Sequence, residues 1–544
     1  MKIMNSKITK RHLIGSFIIC LLSFSVALTS CSDWDDHYED PVTQAGSVPT
    51  LWQVMQQRSD LSDFTEVLNN TMVFKHHKKT AVSYANLLDG LQAFTVLAPV
   101  NGSFNKDSVM DLLTTDKGDS MVVRSFVGNH LSYNMVSNAD SLTEFFLLNS
   151  KRVTIGKNKA LDADIKEANV QARGGVMHVL NSTLPYRYNI YEILLNDTTY
   201  TKLGEQLSSY EEDEFSPTQS VEGGMVDGEQ IYVDSVFIER NKMLESIGEL
   251  AAEDSSYIAL MPTSAEWDRV WQEAMSYYRF DSTVEGADSL QRFWANYSLL
   301  NDAVFSRTIQ ASYKDSLVTY SYSKRYPKYH VFHKPFEEGG ILYGAKAREC
   351  SNGMLYTTEK WPYTPQTTYQ RELKMETERT GLILEYDPDL CTYNTAKATG
   401  DSISENEFLV ITNKKSNSNW NMTFKLENTL AGTYDICAII LPRKLINSEN
   451  PANPNRFQAW INYVDEKGVA QTFDCKTNFE SKPERVDTVV LAENFVFPVC
   501  NYNQTNTKFS LKLKCNILAR DNSKYSREMY LDCIYLRPKK NVEQ

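Results

Sequence analysis

The stretch RFQAWINYV, Arg456 to Val464, holds the side-chain grouping best suited to recognising a ligand. In an extended chain Phe457, Ala459, Ile461 and Tyr463 share one face, while Gln458, Trp460 and Asn462 share the other. An indole flanked by two amides suits a sugar, whose apolar ring face stacks on the aromatic while its hydroxyls pair with the amides. Tryptophan is also readily buried, so packing or a protein interface competes with that role. The histidines offer less. YHVFH sets His330 and His333 three apart, on opposite faces of a strand, and FKHHKK at 74–79 reads as a solvated basic patch. No nucleophile elbow, H-E-x-x-H helix, Walker loop or Rossmann glycine triplet occurs in a credible context. Paired carboxylates for glycoside hydrolysis are a spatial feature that spacing leaves open. No catalytic residue, metal site or cofactor is assigned, and the chain is expected not to be an enzyme.

Charge and cysteine usage narrow the partners. The 544 residues carry 56 basic and 69 acidic side chains, a formal charge of −13. The first thirty residues hold four of those bases (Lys2, Lys7, Lys10 and Arg11) and no acid, so the remainder stands at −17. Such a surface repels phosphate backbones, and nucleic acid is not expected as a partner. Seven of the nine cysteines lie beyond position 300, too widely spaced for a zinc signature. Cys437 and Cys515 fall inside apolar patterns, as small buried hydrophobes do. The set reads as mostly structural, with room for one or two disulfides and at least one thiol left over.

A cysteine of a different kind ends the N-terminal segment. The basic first eleven residues precede an apolar run, Leu13 to Leu28, too short and interrupted for a comfortable membrane-spanning helix; that is the pattern of a secretory signal. Leu28-Thr29-Ser30-Cys31 resembles the lipobox of bacterial lipoproteins, which implies removal of residues 1–30 and acyl chains on Cys31 that hold the protein on a bilayer. Asp33, Asp35, Asp36, Glu39 and Asp40 then form an acidic tether over 31–47. They resemble the export signal that sends Bacteroidota lipoproteins to the outside of the outer membrane.

The middle of the chain alternates helical and short strand patterns. Leu51, Val54, Met55, Leu61, Phe64, Val67 and Leu68 recur at helical spacing, with Ser62 and Asp63 placed to start a second helix. In FTVLAPVNGSF, Phe94 to Leu97 reads as a buried strand whose pairing Pro99 ends before a turn at Asn101-Gly102. TLWQVMQQRSDLSDFTEVL, FTVLAPVNGSF, VVRSFVGNHLSY and GGVMHVLNSTLPY come in the order of the sequence boxes of a fasciclin domain, and residues 48–187 resemble that family. The matching positions are Phe94, Thr95, Ala98, Pro99 and Asn101 in one box and Gly175, Val176, His178 and Val179 in another. His178, and likewise His130, is expected to be a half-buried histidine bonded across the module, because no acid, cysteine or second histidine stands near it in sequence.

Residues 188–365 resemble a weaker second copy. SSYIALMPTSAEWDRV aligns with the first strand box, with Pro262, Thr263 and Ala265 in place and Trp267 closing it; SNGMLYTTEKWPY, with Gly353, aligns with the last. Tyr356 stands where the histidine would be, LQRFWANYSLLNDAVFSR replaces the histidine-bearing helix, and EEDEFSPTQSVEGGMVDGEQ is expected to be an acidic loop. The family resemblance implies adhesion and extracellular binding without catalysis.

Residues 366–544 change to period two. Trp420, Met422, Phe424 and Leu426 face one way and Asn421, Thr423 and Lys425 the other; Phe509, Leu511, Leu513, Cys515 and Ile517 oppose Ser510, Lys512, Lys514 and Asn516. Turns such as Ala431-Gly432-Thr433 and Glu466-Lys467-Gly468 complete the pattern of an antiparallel sandwich. LAGTYDICAIILP and YLDCIYLRPKK resemble strands of jelly-roll carbohydrate-binding modules. The expected fold is thus multidomain, two α+β fasciclin-like modules followed by an all-β antiparallel, jelly-roll-like sandwich. Nine Asp-Ser/Thr triplets, at Ser108, Ser141, Thr198, Ser235, Ser282, Ser289, Ser316, Ser402 and Thr488, resemble O-glycosylation sites of exported Bacteroidota proteins, against an ordinary reading as turn and cap residues. The function these resemblances imply is a surface lipoprotein for adhesion or glycan binding, accessory to polysaccharide uptake. Its partners would be the outer membrane through Cys31 and a glycan or outer-membrane protein. The alternatives are a structural subunit docked on an importer and, after that, a polysaccharide-degrading enzyme.

Overall fold

The computed structural model describes residues 48–75, 78–137, 141–226, 229–306, 315–320, 330–399, 403–445, 448–475 and 478–539. The signal segment, Cys31 and the acidic tether lie outside the described residues, as do His76, His77 and Ser402. None of the described helices is long and apolar enough to cross a membrane. The chain divides into two compact units, 1–186 and 187–544.

In the first unit the helices Leu51–Gln56 and Ser62–Asn70 form where the apolar spacing places them. Thr50 accepts from the backbone of Gln53 and the Gln53 side chain accepts from Thr50, closing a capping box. The helices bury Leu51, Met55, Leu61, Phe64, Val67 and Leu68 against Phe94, Val96, Ala98, Met177 and Val179. These last five belong to two adjacent central strands, Phe94–Pro99 and Gly175–Leu180, paired parallel through six residues from Phe94–Gly175 to Pro99–Leu180. A second core, with Val153, Ile155, Ala160 and Ala163, takes Leu97 and Leu180 from the opposite face of the strands. Both strands are therefore buried on both sides, and they read as continuous apolar runs. The pairing continues through Pro99, one step further than expected: proline lacks an N–H, and the next N–H, Val100, still reaches the Leu180 carbonyl at 3.0 Å.

The second unit repeats the central pairing. Tyr257–Pro262 runs parallel to Gly353–Thr358 through six residues, between the outer strands Val304–Ser306 and Lys346–Cys350. The helices Ser264–Tyr277 and Ala287–Leu300 pack beside it, with Trp267 fully buried and its Nε1 donating to Gln206 Oε1 at 2.9 Å. The acidic stretch expected to be a loop is a β-ribbon: Glu211–Phe215 pairs antiparallel with Phe237–Asn241, and Val221–Val226 with Glu229–Asp234. Two of its acids are paired across the ribbon and beside it, Glu214 with Arg240 and Glu212 with Lys242, while the Phe215 ring lies 5.7 Å from that of Phe237.

The sandwich belongs to the same unit. One sheet runs in the order Cys391–Lys397, Glu407–Asn413, Met529–Pro538, Gly432–Leu441, Asp487–Phe497; the other runs Ile383–Tyr386, Asn421–Lys425, Ser510–Cys515, Arg456–Val464, Ala470–Asp474. The strands of both are antiparallel, and the two segments likened to jelly-roll strands pair directly. Trp420, Met422, Phe424, Leu426, Phe509, Leu511, Leu513, Cys515 and Ile517 all enter the core between the sheets, as their alternation requires. No gap separates the sandwich from the preceding module, because Leu430 and Cys500 join the module's core and the Tyr502 ring packs 5.3 Å from Tyr278 and 5.0 Å from Trp294. Lys508 Nζ seals the junction at 2.7 and 2.8 Å from the carboxylate oxygens of buried Asp281. Burial opposes ionisation of Asp281, but Lys508 and Thr283 outweigh it and hold its pKa below the usual value. The seven cysteines read as mostly structural form none of the one or two disulfides their number left room for: Cys350, Cys391, Cys437, Cys500, Cys515 and Cys533 are buried as small apolar side chains, and Cys475 is half-buried.

Candidate binding face

The motif residues of the first unit are structural fastenings. Phe94 is buried. Thr95 Oγ1 donates to the Asn134 carbonyl at 2.5 Å and accepts from Val136 N at 2.9 Å. Asn101 gives its amide to Ser59 O and Ser62 Oγ, each at 2.8 Å, and accepts from Asp63 N at 2.9 Å, so the strand-end turn caps the second helix. Gly175 has φ 147°, and a Cβ there would stand 2.0 Å from the Phe94 carbonyl oxygen. In the second unit Pro262 ends its strand opposite Thr358, and Gly353, at φ 146°, would place a Cβ 1.9 Å from the Tyr257 oxygen.

Both histidines are fully buried instead of half-buried, because the strands beneath them are covered on both faces. His178 Nε2 lies 2.9 Å from the Val136 carbonyl, and its Nδ1 accepts from Asn169 N at 3.3 Å. His130 Nδ1 lies 2.8 Å from the Phe126 carbonyl, and its Nε2 accepts from Leu184 N at 3.0 Å. Each ring thus holds one proton and spends both nitrogens on the backbone. Burial pushes the pKa of His178 down and that of His130 down to about 4, against weaker opposition from their carbonyl partners.

Titratable groups also gather on the sandwich. Burial pushes the Asp532 carboxyl up to about 6, although it accepts from Ser404 N at 3.1 Å, and pushes Glu378 up to about 7. Ser404 Oγ donates to Glu376 at 2.6 Å. Among the described residues no three His, Cys, Asp or Glu side chains are placed to hold a metal ion.

The face that can meet a ligand is the outer side of the sheet that contains Arg456–Val464. Arg456–Val464 alternates as its sequence requires: Phe457, Ala459 and Ile461 are buried in the core, and Gln458, Trp460 and Asn462 turn outward, part-exposed. Antiparallel register sets one row across five of its six strands: Glu385, Thr423, Lys512, Trp460, Asp474. On one side of it lie Asn421, Lys514 and Gln458; on the other, Lys425, Ser510, Asn462 and Thr472. Asn462 is braced, donating to Ser510 Oγ at 3.0 Å and accepting from Thr472 Oγ1 at 2.9 Å. The Gln458 amide has no such brace among the described residues. The three candidates therefore share one surface but differ in availability. Sequence reasoning assigned Thr423, Lys512 and Lys514 to polar faces without joining them to Trp460, since alternation gives a face and only strand register gives neighbours.

No protein-family model matches the chain, and no curated protein matches it. Solved structures do. The chain is similar to the CBM22-1–GH10 modules of the Clostridium thermocellum endo-1,4-β-D-xylanase 10B (TM-score 0.23, 10% identity, 32% of this chain and 30% of that one). It is similar to the CBM22-1 xylan-binding domain of Paenibacillus barcinonensis Xyn10C (TM-score 0.21, 10% identity, 31% and 95%). A FAS1 domain pair from the insect cell adhesion molecule Fasciclin I is also similar (TM-score 0.18, 12% identity, 51% and 90%).

Proposed function

We propose that this protein is a non-catalytic glycan-binding lipoprotein, held on the outer membrane by a lipid on Cys31, facing outward, and accessory to polysaccharide uptake. In this reading the two α+β modules are fasciclin-like, and the sandwich is a jelly-roll-like recognition domain. The observation that carries it is Trp460: a part-exposed indole on the outer face of a sheet, above a core it does not enter, with the unbraced Gln458 amide two residues away. A sugar ring needs an aromatic plane of this kind with adjustable polar groups at its rim. The leader and lipobox pattern supports the anchor, and the −17 charge beyond it suits a soluble extracellular body.

A glycan array probed with the purified protein tests the reading, with Trp460→Ala in parallel. Selective binding that the substitution lowers at least tenfold is expected. Binding to no glycan removes the recognition role and leaves a protein partner in the outer membrane as the better account. Metabolic labelling with a fatty acid, lost in Cys31→Ser, tests the anchor separately.

A further inference from the structure

The Trp460 face is basic in an acidic protein. Its outward positions include Lys425, Lys512 and Lys514, and among the described residues none of the three lysines has an ion pair or hydrogen bond. Register places Lys512 directly beside Trp460 and Lys514 directly beside Gln458. Adjacent strands lie about 4.8 Å apart, and successive outward residues on one strand about 7 Å apart. Lys512 thus lies about 7 Å along its strand from Lys514 and about 8 Å diagonally from Lys425, and these like charges repel one another in a chain whose formal charge is −13. The acids of the central row, Glu385 and Asp474, stand at its two ends, so the inner three strands of the row keep the positive field.

A second observation points to a ligand at the same place. Thr423, between Glu385 and Lys512 in the row, is 4% exposed, and its Oγ1 has no hydrogen-bond partner. Buried hydroxyls are ordinarily paired. This one lies on the outward face, one strand from Lys512 and two from the indole, covered by its neighbours, so a ligand oxygen would complete it only where those side chains draw aside. An aromatic plane, a free amide and two free ammonium groups in adjoining positions, with an unpaired hydroxyl just beneath, make a surface for a sugar chain that carries negative charge.

We infer that this face binds an anionic polysaccharide, its uncharged rings stacking on Trp460 while Lys512 and Lys514 pair with acid groups on neighbouring residues. The inference rests on the glycan-binding reading and narrows it to polymers bearing carboxylate or sulfate. Lysine meets either acid as a point charge, so the two share one chemistry here.

The test is calorimetric titration of the purified protein with two matched pairs: polygalacturonate against its carboxyl-reduced form, and carrageenan against agarose. We expect at least one acidic polymer to bind tenfold or more tightly than its neutral partner, with affinity falling as salt rises. In Lys512→Gln/Lys514→Gln that preference should disappear while residual binding to the neutral form stays unchanged; Trp460→Ala should weaken both. The carboxylate and sulfate arms tell the two acids apart. Equal affinity within both pairs, or an acidic preference that survives loss of the lysines, overturns the inference and leaves the glycan reading standing. Binding to neither pair, together with a blank glycan array, overturns both. Lysine-dependent binding to phosphatidylglycerol vesicles and to no polymer replaces the polysaccharide with a membrane surface.

Discussion

The two parallel strand pairs, one in each compact unit, share a framework and differ in what fastens it. Each pairs six residues in the same register, opens with a glycine pressed against an aromatic residue's carbonyl, and has a proline as the last residue of its first strand. In the first unit Leu97 N donates to the His130 carbonyl at 2.8 Å and Leu97 lies opposite His178; in the second, Leu260 N donates to the Ala303 carbonyl at 2.8 Å and Leu260 lies opposite Tyr356. Ala303 and Tyr356 thus take the places of the two histidines. The polar stapling passes to Asn352, which donates to the Leu250 and Ala252 carbonyls at 2.8 and 3.0 Å and accepts from Ile190 N at 3.0 Å. Backbone register and the glycine contact are what this architecture requires. Its buried histidines are one of several ways to satisfy loop backbone groups.

The glycines should separate the units most sharply. Gly175→Val and Gly353→Val each force a side chain into a carbonyl at a positive φ, and each is expected to cost more than about 4 kcal/mol. Hydrogen exchange read by peptide should show Gly175→Val unfolding residues within 48–186 only. Gly353→Val should open the sandwich together with its module, because the two share a core. A sandwich that stays protected in Gly353→Val would break that shared-core account.

Next in size is His130→Ala. It opens a cavity beside Phe64 and Phe126 and leaves Leu184 N unpaired, a loss of about 2–4 kcal/mol, measured as the urea midpoint of the first unit. A cost below about 1 kcal/mol would mean the histidine is no fastening at all.

Acidity should then move particular groups in opposite directions. His130 has a native pKa of about 4 against 6.5 unperturbed, so the unfolded chain takes up its proton first. The contribution of His130 is complete above about pH 6.5 and declines as pH falls towards 4. Asp532 is the reverse: raised from 3.8 to about 6, it is protonated first in the native state, so its contribution grows as pH falls from about 6 to about 4. Urea midpoints at pH 7, 5.5 and 4.5 should show Asp532→Asn abolishing that acid gain in the second unit, while histidine-specific hydrogen exchange finds His130 neutral at pH 5.

The smallest stability effect is expected at Trp460. Its side chain lies outside the core, so Trp460→Ala should change the unfolding free energy by less than about 1 kcal/mol even where binding is lost. A larger loss would make it a packing residue.

Local periodicity made much of this legible. Helical spacing from Leu51 to Leu68 and the alternation around Trp420, Phe457 and Phe509 correspond to elements that bury those residues, because the side-chain period follows from backbone geometry. The acidic ribbon was not legible, since Glu211 to Glu214 show no alternation of apolar and polar types; cationic partners at Arg240 and Lys242, some thirty residues on, hold the strands together. The depth of His178 was hidden for a similar reason: a second core covers its face of the strand, and that core is assembled from residues 97 to 184.

Chain order and residue type alone determined that the protein has helix-and-strand modules followed by a sandwich, that Pro99 closes a strand, and which way Trp460 points. Only the tertiary structure decided that the seven cysteines form no disulfide, that the last two segments share a core, and that Lys512 and Thr423 stand in a row with Trp460. The physical reason is that direction is set by the next bond along the chain, whereas neighbourhood is set by register between strands about fifty to ninety residues apart, which the packed core selects as a whole.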